Sequence, residues 1–312
     1  MSIYILLALA AAVLLLRATW RRPGLERRRD TLRRHYVARI ISALRDDDTF
    51  AAERITAHTR RRRMALAEAL HTVACHTCGT DMRLLRIIAR LNSIDRFLMR
   101  GAALATGYRR ARYLILLGSV PPTAAQARRL GRYLRNRNPF VRIYALTAML
   151  AANPATAIRT IGEYPYTLSP FDITQITAMI RRGLLPIAFD PMLSDDNPNI
   201  RRLGLAIVRS FGIDTARKQI VRMAELDEDP AVAVEALHTL AALGHAIPTE
   251  RLRGRIADLD APRRKALSRF FAAQGYSIRT VEALFDATEC ECARQLIDSY
   301  KKSIVCRSPS LP

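Results

Sequence analysis

Asn138-Pro139-Phe140-Val141-Arg142-Ile143-Tyr144-Ala145-Leu146 is the stretch that decides how this chain is read, because its phrase returns. It recurs as Asn197-Pro198-Asn199-Ile200-Arg201-Arg202-Leu203-Gly204-Leu205, and again as Asp229-Pro230-Ala231-Val232-Ala233-Val234-Glu235-Ala236-Leu237. A fourth copy, Ala261-Pro262-Arg263-Arg264-Lys265-Ala266-Leu267, keeps the proline and has alanine in the capping place, with Asp260 beside it. Pro198, Pro230 and Pro262 are spaced by 32 residues. Asn or Asp accepts bonds from the free N–H groups at a helix start. Proline suits the first helical position, where its missing donor is not needed. The Val/Ile and Ala/Gly/Leu that follow at three- and four-residue spacing bury one face. Ala145, Gly204 and Ala236 are small enough for a neighbouring helix to approach closely. A turn-then-helix phrase that recurs in this way marks a stacked helical array, in which no unit can bury its apolar face alone.

Working outward, the periodicity predicts helices over Leu98–Ala105, Arg109–Leu117, Thr123–Leu134, Val141–Leu150, Ala155–Glu163 and Phe171–Arg181. It continues with Ile200–Ser210, Thr215–Leu226, Val232–Leu243, Thr249–Leu259, Arg263–Ala273 and Thr280–Ser299. Gly212, Gly244 and Gly275 fall just past helix ends, where a positive φ is wanted. The 59 residues from Pro139 to Pro198 fall short of two repeats, so that unit is irregular. Strand signals are almost absent, and the fold class is all-α.

The phrase resembles the start of the second helix of a HEAT repeat, roughly Asp/Asn-Pro-x-Val-Arg-x-x-Ala. Asn138, Pro139 and Arg142 match it, as do Asn197, Pro198 and Arg201. Asp229 and Pro230 match, with Ala233 in place of the arginine; Pro262 keeps only the proline. The resemblance covers roughly residues 94–285. It implies a right-handed α-solenoid of helix pairs that works as a binding surface for other proteins.

The amino terminus adds a location. Met1 to Leu16 carries no charge, and Arg17, Trp20, Arg21 and Arg22 follow directly. Spanning a bilayer takes about 20 largely apolar residues, with a lower limit near 17. Here Arg17 can snorkel and Trp20 can sit at the interface. A cleavable signal has its positive charge before the apolar run and small residues after it; this segment has neither. The expectation is a single-pass anchor over residues 1–20. The positive-inside rule puts the amino terminus outside and the body in the cytoplasm of a bacterial inner membrane. The expected organisation continues with a basic juxtamembrane helical region at 21–93, the array at 94–300 and a flexible tail at 301–312.

Charge agrees with that placement. The chain has 50 Lys+Arg against 28 Asp+Glu, a formal +22. Residues 1–120 alone hold 23 basic and 9 acidic side chains, so most of the excess lies nearest the anchor. A basic segment beside an anionic leaflet gains about 1 kcal/mol per charge, which makes the anionic membrane surface an expected partner. Within this region Thr31–Leu44 and Ala51–Leu70 read as amphipathic helices, the second containing the run Arg60-Arg61-Arg62-Arg63. That run is either a solvated helix face or a contact for phosphate or an acidic partner.

Cys75-His76-Thr77-Cys78, with His71 one helical turn upstream, could supply three of the four ligands that zinc wants. His76 stands inside the pair and Gly79 follows it, so haem attachment fails. Cys290-Glu291-Cys292 is too short for a ligand pair. Small, partly buried thiols in a reducing compartment fit both clusters better, and no metal or cofactor is expected. The chain has no Gly-x-Gly-x-x-Gly, no phosphate loop and no Gly-x-Ser-x-Gly, and its six histidines pair with no defensible nucleophile. No catalytic residue is assigned. The leading expectation is a non-catalytic, membrane-tethered scaffold for a protein partner, such as another inner-membrane protein. A nucleic-acid-binding protein resembling HEAT-like DNA glycosylases is the alternative, motivated by the charge. Against it, the basic excess clusters near the anchor and aromatic content is only 6%. A HEAT-like lyase ranks last.

Overall fold

The computed structural model describes residues 27–46, 49–76, 82–183 and 188–305. The expected anchor, with Arg17, Trp20, Arg21 and Arg22, lies outside them, as does the tail beyond position 305. No helix among the described residues is long and apolar enough to cross a membrane.

The described chain is all-helical. Helix α1 covers 27–45. It is followed by α2 (Thr49–Glu53), α3 (Arg60–His76), α4 (Met82–Leu91), α5 (Ile94–Leu104) and α6 (Gly107–Leu117). Next come α7 (Ala124–Leu130), α8 (Pro139–Ala152), α9 (Ala157–Gly162), α10 (Pro170–Arg181), α11 (Asp190–Leu193) and α12 (Pro198–Phe211). The order closes with α13 (Arg217–Leu226), α14 (Pro230–Ala242), α15 (Thr249–Ala257), α16 (Ala261–Ala273), α17 (Ile278–Leu284) and α18 (Ala287–Val305). Packing divides the chain into two compact units. One holds the described residues through Pro165 together with 178–183, the other residues 166–177 and 188–305.

In the first unit, α3 packs on α4, α5 and α6, while α6 packs on α5 and α8. Leu66, Leu70, Ile88, Ile94, Leu98, Leu114 and Leu146 have no exposed surface. Residues on both sides of the expected boundary at 93/94 thus share one core. Helix α5 comes close to α6 at Gly101, where a Cβ would lie 2.3 Å from the Tyr113 ring.

One expected helix is broken here. The amphipathic stretch Ala51–Leu70 contains a turn between α2 and α3, held from a distance by two side chains. Buried Asn92 accepts from the Ala57 N–H at 2.6 Å and donates to the Ile55 carbonyl at 2.8 Å. The Tyr36 hydroxyl donates to the Thr56 carbonyl at 3.0 Å. These bonds satisfy backbone groups that a continuous helix would otherwise claim. The arginine run therefore opens α3 rather than lying inside a longer helix.

The second unit is a two-row stack. Helices α12, α14, α16 and α18 pack in succession, as do α13, α15 and α17. A continuous core runs between the rows, with Leu205, Val208, Ile220, Val232, Leu240 and Phe271 at its centre. Gly212, Gly244 and Gly275 have φ of 66°, 68° and 85°. The next N–H after each reaches back to Val208, Leu240 and Phe271 carbonyls, closing the helix ends. Gly204 lets α12 approach α11, since a Cβ there would lie 3.1 Å from Met192 and Leu193 side chains.

The expected helix Thr280–Ser299 is also two helices. Phe285 leaves helical geometry at φ −124°, ψ 157°. Its ring is buried and meets Phe271 edge-on, centroids 5.8 Å apart. The Cys290 thiol donates to its carbonyl at 3.4 Å. Burying an aromatic ring outweighs the one or two helical bonds lost.

Candidate functional site

The repeat turns are built by one local scheme. Asn138 accepts from the Phe140 N–H at 2.9 Å, Asn197 from Asn199 at 2.9 Å and Asp229 from Ala231 at 2.7 Å. Pro139, Pro198 and Pro230 occupy the first helical position. Two residues before each cap, Asn136, Asp195 and Asp227 accept from the cap's own N–H at 2.8–3.0 Å. Asp195, Asp227 and Asp229 are thus turn-building groups.

The arginines fold back onto these turns. Arg142 Nη1 donates to the Asn136 and Arg137 carbonyls at 2.9 and 3.2 Å, and Nε reaches the Tyr164 hydroxyl at 3.3 Å. Arg201 Nη1 donates to the Asp195 and Asp196 carbonyls at 2.9 Å. Its Nε and Nη2 hold Asp227. In the third copy, Ala233 cannot do this, and Arg255 from α15 donates to the Asp227 carbonyl instead.

The fourth copy corrects the reading of Pro262. Asp260 is the cap, accepting from the Arg263 N–H at 2.9 Å, and α16 begins at Ala261, one residue before the proline. Counted from the cap, Arg264 holds the place of Arg142 and Arg201. It donates to the Leu259 carbonyl at 2.6 Å and to Glu289 at 3.1 Å. Burial alone would raise the Glu289 carboxyl, but its hydrogen bonds, that from Arg264 foremost, hold it below the usual range. This copy keeps both cap and arginine, displaced by one residue.

The thiols are placed as follows. Cys290 is buried, and burial pushes its thiol up, the main effect there. Cys75 Sγ lies 3.7 Å from the His71 ring and accepts from Arg182 Nη1 at 2.9 Å. His71 Nδ1 shares a 2.7 Å hydrogen bond with Ser119 Oγ. Burial, then Arg182 and His76, lower the His71 pKa to about 4. Cys78 lies outside the described residues.

A third feature was legible in the sequence only in part, through the run Arg60-Arg61-Arg62-Arg63. A cavity of about 520 Å³ in the first unit is lined by five arginines: Arg28 and Arg29 of α1, Arg60 and Arg61 of α3, and Arg112 of α6. Leu32, Met64 and Tyr113 give it apolar walls. Among the described residues, Glu68 is the only carboxylate bonded to these arginines. It takes Arg29 Nε at 2.8 Å and Arg112 Nη2 at 2.6 Å. Thr59 caps α3 through the Arg62 N–H at 3.3 Å, and the first turn of that helix holds no acid. Like charges at the positive end of a helix dipole cost about 0.3–1 kcal/mol each when exposed.

The fold and turns define a class: an all-α protein of stacked, capped helices joined by arginine-locked turns. No protein-family model matches the chain, and no curated protein is significantly similar to it in sequence.

Proposed function

We propose that this chain is a HEAT-like α-solenoid that acts as a non-catalytic scaffold for a protein partner. In this proposal residues 1–20 tether it to the cytoplasmic face of a bacterial inner membrane. The observation that carries the scaffold role is the way the turns spend their polar chemistry. Arg201 and Arg264 each tie their own turn to a carboxylate of the following repeat. Arg209 does the same along the row, meeting Glu235 at 2.6 Å. Such ties fix the spacing of successive helices, and a fixed row of helices is what a stacked array offers a partner. Phe211 and Leu226 remain 50% and 68% exposed on these rows, available for contact.

The same ties weigh against the nucleic-acid alternative for the array. Arg201, Arg209 and Arg264 are committed to carboxylates and carbonyls within the chain, so the formal charge overstates what the array offers to phosphates.

Two experiments test the proposal. Affinity capture from solubilised membranes would compare the full chain with a Phe211→Glu, Leu226→Glu variant, both positions being exposed; the expected result is loss of a defined partner set, and identical sets overturn a scaffold role for these rows. Reporter fusions at each terminus test the tether. A carboxyl terminus on the outer side of the membrane would overturn the topology.

A further inference from the structure

We propose that the arginine-lined pocket formed by α1, α3 and α6 binds a ligand that carries a phosphate group and an apolar body. The proposal is independent of the scaffold role and rests on a different unit.

Three observations meet there. Arginines from three helices, far apart in sequence, line one cavity of about 520 Å³, within the ordinary range for a small-molecule site. Glu68, nearly buried, fixes two of them, Arg29 and Arg112, and so orients their remaining N–H donors. Arg28, Arg60 and Arg61 have no ion-pair partner among the described residues. Five positive charges therefore line a half-open cavity, and one carboxylate beside it holds two of them.

Such a cluster is short of negative charge and rich in planar donor forks. A single carboxylate from a ligand would neutralise one charge. A phosphate monoester near neutral pH brings close to two charges and several acceptor oxygens, and guanidinium forks match that geometry. Leu32, Met64 and Tyr113 provide surface for the apolar or aromatic part of the same molecule. A soluble phosphate monoester and the monoester headgroup of phosphatidic acid share this chemistry.

The test uses the purified full chain in mild detergent. Phenyl phosphate probes the soluble source, read as the shift in thermal midpoint against sodium chloride of equal ionic strength. Vesicles of phosphatidylcholine with phosphatidic acid probe the lipid source. Pure phosphatidylcholine vesicles gauge whatever binding the apolar segment 1–16 supplies. The pocket variant is Arg60→Glu with Arg61→Glu. The control, Arg128→Glu with Arg129→Glu, makes the same charge change on exposed positions of α7.

The expected result is a midpoint shift with phenyl phosphate, or a preference for the anionic vesicles, that falls about tenfold in affinity in the pocket variant and persists in the control. A response to phenyl phosphate alone assigns a soluble ligand, and a response to the vesicles alone assigns a headgroup. Acidic residues suit the first turn of a helix, so the pocket variant should keep or raise its midpoint without ligand, which separates lost binding from lost folding. Equal loss in both variants, no response to either probe, or a response only to duplex DNA would overturn the proposal.

Discussion

Arg201 grips Asp227 through two parallel hydrogen bonds, Nε to Oδ2 and Nη2 to Oδ1, both 2.9 Å long, across 26 residues of sequence. Asp227 is itself part of the next turn, where its Oδ1 accepts from the Asp229 N–H at 3.0 Å. One ion pair thus joins the turn before α12 to the turn before α14. The two side chains are 16% and 7% exposed, so removing either leaves its partner poorly solvated.

Arg201→Met should therefore destabilise the second unit by about 3 kcal/mol, because Asp227 keeps a charge it cannot pair. Asp227→Asn should cost less, since the amide can still accept from Asp229. In urea unfolding the double variant should cost about 1–3 kcal/mol less than the two single effects combined. Simple additivity would show that the pair does not couple the two turns.

Arg255 stands in for the arginine that the third copy lacks. Arg255→Ala should cost about 1–2 kcal/mol by leaving the Asp227 carbonyl with one donor fewer. Adding Ala233→Arg to that variant should recover part of the loss, because the side chain then starts from the place Arg201 and Arg142 occupy. No recovery in the unfolding midpoint would mean that the two positions are not equivalent.

Two helix glycines should respond in opposite directions to alanine. At Gly101 a Cβ would lie within 2.3–2.7 Å of the Tyr113 ring, a rigid obstacle, and Gly101→Ala should cost about 1–3 kcal/mol. At Gly254, inside α15, nothing lies within 4 Å. Gly254→Ala should stabilise by about 1 kcal/mol through helix propensity. Thermal midpoints of the two variants give both signs directly.

His71 makes stability depend on pH. Its folded pKa, about 4, lies below the unfolded 6.5. Between those values the unfolded chain binds a proton that the folded chain refuses. The contribution is therefore complete above pH 6.5 and is lost as pH falls, by about 3 kcal/mol at pH 4. Between pH 7 and pH 5, His71→Gln should remove about 2 kcal/mol of the wild-type loss. Burial lowers His238 as well, so some slope in the same direction should remain. An unchanged slope in the His71 variant would refute the assignment.

The turns were legible because their chemistry is local. A cap, a proline and a small residue act within one helical turn, so Asn138, Asn197 and Asp229 announce themselves in one dimension. The fourth copy was misread by taking Pro262 as the anchor; aligning on the capping side chain, Asp260, recovers Arg264. The two broken helices were illegible for the opposite reason. The turn between α2 and α3 is held by Asn92 and Tyr36, and the bend at Phe285 by a ring from α16. The arginine pocket depends on Arg112 meeting Arg28 and Arg29, more than 80 residues away in sequence. No spacing rule connects them.

The sequence by itself determined that the described chain is helical, where its repeat helices begin and which residues close their ends, because capping and backbone preference act over three to five residues. Only the tertiary structure decided what the arginines do. In the array, Arg201 and Arg264 are paired with carboxylates of the following repeat; in the first unit, Arg28, Arg60 and Arg61 line a cavity and have no ion-pair partner among the described residues. All are the same side chain in the sequence. A guanidinium's role is set by which carbonyls and carboxylates lie within its reach, and the fold alone brings those together.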